Sequence, residues 1–154
     1  MRIVLQRVTD AKVTVNDTVV GEIGTGLLAL VGFGKSDTAD LATAPVWKKM
    51  IDKVLNLRIF TDDDDKLNNS LCDISGDILL VSQFTLYADC KKGRRPSFSG
   101  SCPPDIAAPL FDRLVADVRS AAPGQVATGE FGEEMFLDFT NWGPVTIILD
   151  SDEM

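Results

Sequence analysis

Histidine is absent from this chain. Its absence removes the Ser-His-Asp and Cys-His nucleophile systems together with the commonest metal ligand. Cysteine is scarce: Cys72, Cys90 and Cys102 are an odd number with no C-x-x-C pair. Neither a disulfide framework nor a zinc site is expected, and the three are read as reduced thiols. No metal and no cofactor is implied. Nowhere does the chain approach the roughly 18 to 20 uninterrupted apolar residues that a membrane span needs. The opening Met1-Arg2-Ile3-Val4 runs into strand-like sequence rather than a signal peptide. A cytoplasmic protein with no membrane partner is therefore expected. Positive charge is also short, with 15 Lys and Arg against 23 Asp and Glu and a net charge of -8. Proteins that grip long stretches of phosphate backbone do so with broad basic surface. DNA is not expected as a partner, and any nucleic-acid contact should be local.

What is present suffices for a real core. At 154 residues and 45% hydrophobic composition, one domain spanning 1-154 is expected. Ala11, Val13 and Val15 alternate with Lys12 and Thr14, the period of a half-buried strand, and Asn16-Asp17 marks a turn toward Val19-Val20. Ile3-Val4-Leu5 predicts a flanking strand. Gly26 to Phe33, GLLALVGF, is apolar throughout and predicts a central strand buried on both faces. After Ser36 or Asp37 as a cap, Trp47, Met50, Ile51, Val54 and Leu55 recur at helical spacing, with Pro45 starting or kinking the helix. A second helix follows Pro103-Pro104, with Ala107, Leu110, Phe111, Leu114, Val115 and Val118 on one face. Further strands are predicted at Leu57 to Phe60, Asp77 to Leu86, Met135 to Phe139 and Val145 to Leu149, the last two joined by a turn at Asn141-Trp142-Gly143-Pro144. The fold class is α/β: a β-rich domain of roughly seven or eight strands in mostly antiparallel or mixed sheets, with two main helices.

Three patterns invite functional readings that the chemistry does not favour. Gly21-Glu22-Ile23-Gly24-Thr25-Gly26 leads into a strand, whereas a dinucleotide site needs a helix whose N-terminal amides face the phosphate; a turn is the better reading. Ala29 to Ser36, ALVGFGKS, ends like a phosphate loop, but Ala29 stands where the first glycine is required and Leu30-Val31 looks like strand. Asp62 to Asp65 reads as a solvated loop rather than a cation site. The remaining carboxylates show no spacing that pairs an acid with a base.

One stretch is harder to dismiss. DILLVSQFTLYADCKKGRRPSFSG carries Ser82 and Gln83 in an apolar strand and follows them with Lys91, Lys92, Arg94 and Arg95, the one basic cluster of an acidic chain. A buried polar group without a partner costs about 1–3 kcal/mol. Two readings stay open. Either the strand emerges into solvent at Ser82, or it ends in a pocket where the side chains of Ser82, Gln83 and Thr85 and the amide of Phe84 meet a ligand. In the second case the basic loop supplies phosphate contacts and Phe98 or Tyr87 a stacking face.

These residues also carry a resemblance. SQFTL at Ser82 to Leu86, RRPSF at Arg94 to Phe98, NWGPVT at Asn141 to Thr146, the opening Gln6-Arg7-Val8 and GLL at Gly26 to Leu28 occur in the order found in D-aminoacyl-tRNA deacylases, and the similarity spans nearly the whole chain. Trp142 stands where such proteins often have a small or acidic residue, and 151 to 154 reads as an acidic extension.

The resemblance implies a homodimer of three-layer α/β/β subunits that hydrolyses the ester between a D-amino acid and the 3′-terminal adenosine of tRNA. It implies a site at Ser82, Gln83, Phe84 and Thr85, substrate contacts from Arg7, Arg94, Arg95, Pro96, Ser97 and Phe98, and chirality selection by a cis Gly143-Pro144 wall that reaches the partner's site. Because histidine is missing, the expected mechanism positions the activated ester, orients a water and stabilises the oxyanion with backbone N–H groups around Gln83, Phe84 and Thr85. A nucleophilic Thr85 is the alternative, though nothing in the sequence would activate it. The competing reading from another class is a non-catalytic module that binds a tRNA 3′ end or a nucleotide.

Overall fold

The computed structural model describes residues 1–154. Strand β1 (Arg2–Val15) turns through Asn16-Asp17 into β2 (Thr18–Ile23), and both turn residues have positive φ, 47° and 61°, as a two-residue hairpin loop requires. After a turn at Gly24-Thr25 comes β3 (Gly26–Gly32). Helix α1 (Pro45–Asn56) leads to the small hairpin β4 (Phe60–Thr61) and β5 (Leu67–Asn69), which carries the acidic loop, and then to β6 (Asp77–Ser82). Helix α2 (Pro104–Ala121), β7 (Val126–Thr128) and β8 (Phe136–Asp150) complete the chain. No helix is long and apolar enough to cross a membrane.

The main sheet runs β2-β1-β3-β6-β7, with β8 antiparallel along β1. β3 pairs antiparallel with β1 and parallel with β6, so it is the central strand that its unbroken apolar sequence predicts. Alternate residues of the sheet feed two clusters. Ile3, Leu5, Leu27, Ala29, Ile78 and Leu80 face α1 and α2, where Trp47, Met50, Phe111 and Leu114 meet them. Val8, Val13, Leu28, Leu79 and Val81 form a second cluster with Ile23 and Ala127. Two cores on opposite faces of one sheet give three layers, helices, sheet and the folded-over β1-β2-β8 ribbon, as expected for α/β/β.

Several element boundaries differ from expectation. The first strand is continuous through Thr9-Asp10, because β8 pairs along nearly its whole length. The Leu57-to-Phe60 strand shrinks to Phe60–Thr61. Helix α1 is capped by Ala44 with Pro45 at its first turn; Asp37 instead accepts a 2.7 Å bond from the Gly34 N–H and pairs with the Met1 ammonium at 2.8 Å. Residues 151–153 form a 3-10 turn that docks on the sheet through a 2.9 Å bond from the Ser151 N–H to the Met1 carbonyl, so only part of the tail behaves as a free extension. The two strands expected at the C-terminal end are one, because both stretches pair with β1.

The parallel pairing of β3 with β6 depends on a missing side chain. Gly26 is paired with Asp77, and a Cβ on Gly26 would overlap the Asp77 carbonyl. Gly26→Ala should therefore part the strands and destabilise the protein by at least about 1–3 kcal/mol, the range for overpacking a tight site. A urea midpoint equal to that of the unsubstituted protein would show that the two strands separate without cost.

Candidate active site

β6 ends at Ser82, and Phe84–Tyr87 form a 3-10 turn instead of prolonging the strand to Leu86. Gln83 makes the change of direction. Its backbone, at φ -144° and ψ 81°, still donates a 2.7 Å bond to the Val31 carbonyl of β3. The turn then lies across β3 at two glycines. A Cβ on Gly32 would stand 2.8 Å from the Gln83 carbonyl oxygen, and one on Gly34 would stand 2.6 Å from the Tyr87 ring. The polar residues in the middle of an apolar stretch are thus the point where the chain leaves the sheet. Ser82 and Gln83 are where the strand ends, and both line a cavity.

The turn borders a cavity of about 580 Å³ at the carboxyl ends of the parallel strands β3 and β6. Its walls are Val31 to Phe33, Val81 to Phe84, Phe98, Ser101 to Pro104 and Ala107 at the start of α2, and Phe131, Gly132, Glu133, Met135 and Leu137 from the segment entering β8. Of the residues expected at the site, Ser82, Gln83, Phe84 and Phe98 are brought together here. Phe84 and Phe98 meet edge to face with ring centroids 5.0 Å apart. Thr85 sits beside the cavity, its hydroxyl oxygen accepting a 2.6 Å bond from the Gln83 side-chain amide. An amide cannot act as a base, so this bond orients Thr85 without activating it. The Gln83 N–H is already committed to Val31. The Phe84 and Thr85 N–H groups open the 3-10 turn, where the first amides have no carbonyl within the turn to bond.

Among the wall residues that sequence reasoning missed, three carry a hydroxyl, a carboxylate or a thiol. Ser101 donates a 3.0 Å bond to the Phe84 carbonyl, which belongs to the same peptide unit as the Thr85 N–H. Glu133 adds a carboxylate at the rim, and Cys102 a buried thiol. Burial, with Asp37 and Asp105 close by, pushes the Cys102 thiol above its ordinary pKa, which keeps it protonated and unsuited to nucleophilic attack. Nothing in their spacing from SQFTL marks these residues; they arrive through the fold.

The basic loop leaves the turn directly. Asp89 and Ser97 pair through 2.7 and 2.9 Å backbone bonds and close its neck. Lys91 to Phe98, including Arg94, Arg95, Pro96 and Ser97, are exposed, and none of the four cations pairs with a carboxylate. Phe98 enters the cavity wall, so the loop is anchored at the rim.

Arg7, Gly143 and Pro144 lie elsewhere on the chain. Along β1 and β8, Gln6 faces Thr146 and Val8 faces Asn141, so two steps of β1 oppose five of β8 and the excess is extruded as a bulge. Asn141 closes its neck, its side chain donating to the Val145 carbonyl at 3.2 Å and accepting from the Val145 N–H at 2.9 Å. Because both arms pair with β1 in the same direction, the expected turn does not reverse the chain. Arg7 is only 5% exposed and fills the bulge from within, with Nε donating to the Trp142 carbonyl and Nη1 to the Ile59 carbonyl, each at 2.8 Å. Its guanidinium also lies 4.4 Å from the centroid of the Trp142 ring, and burial lowers its pKa. Arg7 is therefore a clamp under Trp142-Gly143 rather than part of the cavity wall. The Gly143-Pro144 peptide is cis. Gly143 has φ 140°, and a Cβ there would stand 2.8 Å from the Val145 N and 3.0 Å from the Arg7 guanidinium. Only glycine fits, and the pair stands exposed on the surface of the single chain.

Comparison with known proteins identifies the family. The family model described as D-Tyr-tRNA(Tyr) deacylase matches residues 4–150. The chain is 52% identical over 154 residues to a D-aminoacyl-tRNA deacylase of Nitratidesulfovibrio vulgaris (strain DP4), covering 100% of this chain and 95% of that protein. It is 49% identical over 154 residues to the D-aminoacyl-tRNA deacylase of Thermosipho melanesiensis, covering 100% of this chain and 99% of that one. Among solved structures, the c-Myc DNA Unwinding Element Binding Protein superposes with a TM-score of 0.87 at 36% identity, covering 97% of this chain and 98% of that chain. A structure described as "a probable eukaryotic D-amino acid tRNA deacylase" superposes with a TM-score of 0.78 at 25% identity, covering 96% and 97%. The 3-10 turn after β6, the cavity it borders and the Gly143-Pro144 bulge thus belong to a chain that is a member of the D-Tyr-tRNA(Tyr) deacylase family.

Proposed function

We propose that the chain hydrolyses the ester between a D-amino acid and the 3′-terminal adenosine of tRNA, releasing free tRNA and the D-amino acid as a proofreading step of translation in the cytoplasm. One observation carries the mechanism: a cavity with an apolar wall large enough for a nucleoside is bordered by the 3-10 turn, whose opening N–H groups, Phe84 at the wall and Thr85 beside it, have no backbone carbonyl partner. An aminoacyl ester is already activated. Water adds to its carbonyl carbon, the electron pair moves onto the carbonyl oxygen, and the two amides hold the resulting oxyanion. When the intermediate collapses, the ribose 3′ oxygen departs with the proton of the neighbouring 2′-hydroxyl, and that hydroxyl takes up the proton released by the attacking water, so the substrate's own 2′-hydroxyl relays one proton and is left unchanged. Ser82 and the Gln83 side chain orient the ester. No protein nucleophile is needed.

The exposed cations at Arg94 and Arg95, with Pro96, Ser97 and Phe98 linking them to the cavity rim, receive the phosphates of the tRNA 3′ end. Binding confined to that end is compatible with a net charge of -8, which also speaks against DNA as a partner of this chain. Chirality is read by Gly143 and Pro144, whose backbone forms a wall against the substrate's amino group and leaves no room for an L side chain. Arg7 holds that wall in place. The wall stands outside the chain's own cavity, so it acts on the site of a second copy. β8 supports this homodimer: it is an edge strand, and it exposes Phe136 and Ile148, each 65% exposed, to pair with a partner.

A wall that excludes an L side chain has no means of rejecting a substrate without one. D-tyrosyl-tRNA and glycyl-tRNA, including glycine mischarged on tRNA-Ala, should both be deacylated in single-turnover assays while L-tyrosyl-tRNA is spared. A pocket that instead grips the D side chain would lose about 0.8 kcal/mol per missing CH₂ with glycine, and glycyl-tRNA would then resist like the L ester. Binding of the D ester without turnover would leave only a module that holds tRNA ends.

Neutralising Arg94 and Arg95 together to Gln should weaken tRNA binding and reduce the slope of log affinity against log salt by about 0.7 for each single-strand phosphate that is no longer neutralised. An unchanged slope would assign the pair to the dimer or the fold.

A further inference from the structure

Arg2 is the first residue of β1, and its side chain does not end in solvent. Its register neighbours are Gly32 of β3 on one side and Asp150 of β8 on the other. Directly paired residues of antiparallel strands present their side chains on the same face. Gly32 presents none, and the space it leaves is where the Gln83 carbonyl and the Leu86 Cβ come within 2.8 and 3.1 Å of the absent Cβ. Arg2 reaches across that gap. Its Nη1 donates to the Leu86 carbonyl at 2.7 Å, its guanidinium lies 4.8 Å from the centroid of the Tyr87 ring, and its Nε and Nη2 both donate to Asp150 Oδ2, at 2.9 and 2.7 Å.

We infer that Arg2 is a positioning residue for deacylation: by tying the Leu86 carbonyl and the Tyr87 ring to the end of β8, it fixes the 3-10 turn that aims the Phe84 and Thr85 N–H groups. This inference rests on the reaction proposed above. The turn is attached to the protein at three points, the Gln83 N–H on Val31, the Ser101 hydroxyl on the Phe84 carbonyl, and Arg2 on the Leu86 carbonyl. The first two lie at its start. At its far end Leu86 and the Tyr87 ring rest on Gly32 and Gly34 by packing alone, and Arg2 supplies the one hydrogen bond, so without Arg2 the turn is freer to pivot about Gln83. Oxyanion donors act only when they are aimed in advance, so a small pivot lowers the rate of chemistry without removing the nucleoside's binding wall. The planar fork matters as much as the charge. One edge of the guanidinium serves Asp150 while the remaining nitrogen serves Leu86, which a lysine ammonium at the end of a flexible stem does not reproduce.

The test compares Arg2→Ala, Arg2→Lys and Asp150→Asn with the unsubstituted protein by two readouts. Amide hydrogen exchange should quicken at residues 84–88 in Arg2→Ala and stay unchanged in β3 and α2. The single-turnover rate on D-tyrosyl-tRNA should fall about tenfold or more, while the affinity for a non-hydrolysable 3′-aminoacyl-adenosine analogue stays within about twofold. Arg2→Lys should recover little of the rate, Asp150→Asn should lie between, and added ethylguanidinium should restore part of the loss in Arg2→Ala. Normal exchange at 84–88, or a normal rate in folded Arg2→Ala, overturns the assignment, as does a loss of rate matched by an equal loss of analogue affinity. If the unsubstituted protein fails to hydrolyse D-tyrosyl-tRNA, the deacylase reading falls, and the exchange measurement still decides whether Arg2 fixes the turn.

Discussion

The close approach of the 83–87 segment to β3 is the interaction on which the rest of the site depends. It is possible only because β3 and the residues just after it present no side chain at Gly32 or Gly34, where the Gln83 carbonyl and the Tyr87 ring take the vacated space. Once the segment is that near, Gln83 donates to Val31 and the chain is forced out of the sheet into a tight turn. The turn leaves the Phe84 and Thr85 amides without backbone carbonyl partners. Arg2, Ser101 and the start of α2 then close around it. A methyl group on either glycine would lift the whole assembly off its support.

A second constraint operates at the bulge in β8. Extruding backbone from a ladder strips N–H and carbonyl groups of their partners, and buried ones must be satisfied. Asn141 replaces the lost backbone partner with its own amide, and Arg7 supplies two charged donors to carbonyls of separate segments. Arg7 is buried without a carboxylate beside it. Its charge is spread over carbonyl dipoles and the Trp142 ring, an arrangement that suits a guanidinium, which is weakly hydrated and planar. Trp142 therefore covers the clamp. A smaller residue at that position would leave Arg7 more open to water.

Charge is distributed with the same locality. The acidic loop satisfies itself, with Asp62 accepting from the Asp64 and Lys66 N–H groups, and the Lys66 amide above all keeps the Asp62 carboxyl below the usual range. None of the cations of 91–95 forms an ion pair, and they stand on a loop whose neck is closed by the Asp89-Ser97 pair. An acidic surface that carries one free basic loop discourages association with phosphate everywhere except at the cavity rim.

How much of this could be read from the residues depended on whether the governing force was local. Period-2 and helical spacing of apolar residues located the hairpin at Asn16-Asp17 and both helices, because burying one face is enough to specify them, and an unbroken apolar run located the central strand, which is buried on both. The ordered segments SQFTL, RRPSF and NWGPVT pointed to the family and to the chemistry. Three matters were decided only in three dimensions. β6 stops at Ser82 because its continuation docks on Gly32 and Gly34, some fifty residues earlier in the chain, a separation that no window of sequence spans. Asn141-Trp142-Gly143-Pro144 reads as a chain reversal, yet β8 continues through it, since β1 offers partners on both sides of the bulge. Arg7 entered the sequence reading only as a substrate contact implied by the family resemblance; that it is a buried clamp was decided by the Trp142 and Ile59 carbonyls, which converge on it from two other segments. Local patterns are written in side-chain spacing; which distant backbone group needs a donor is settled only when the strands have paired.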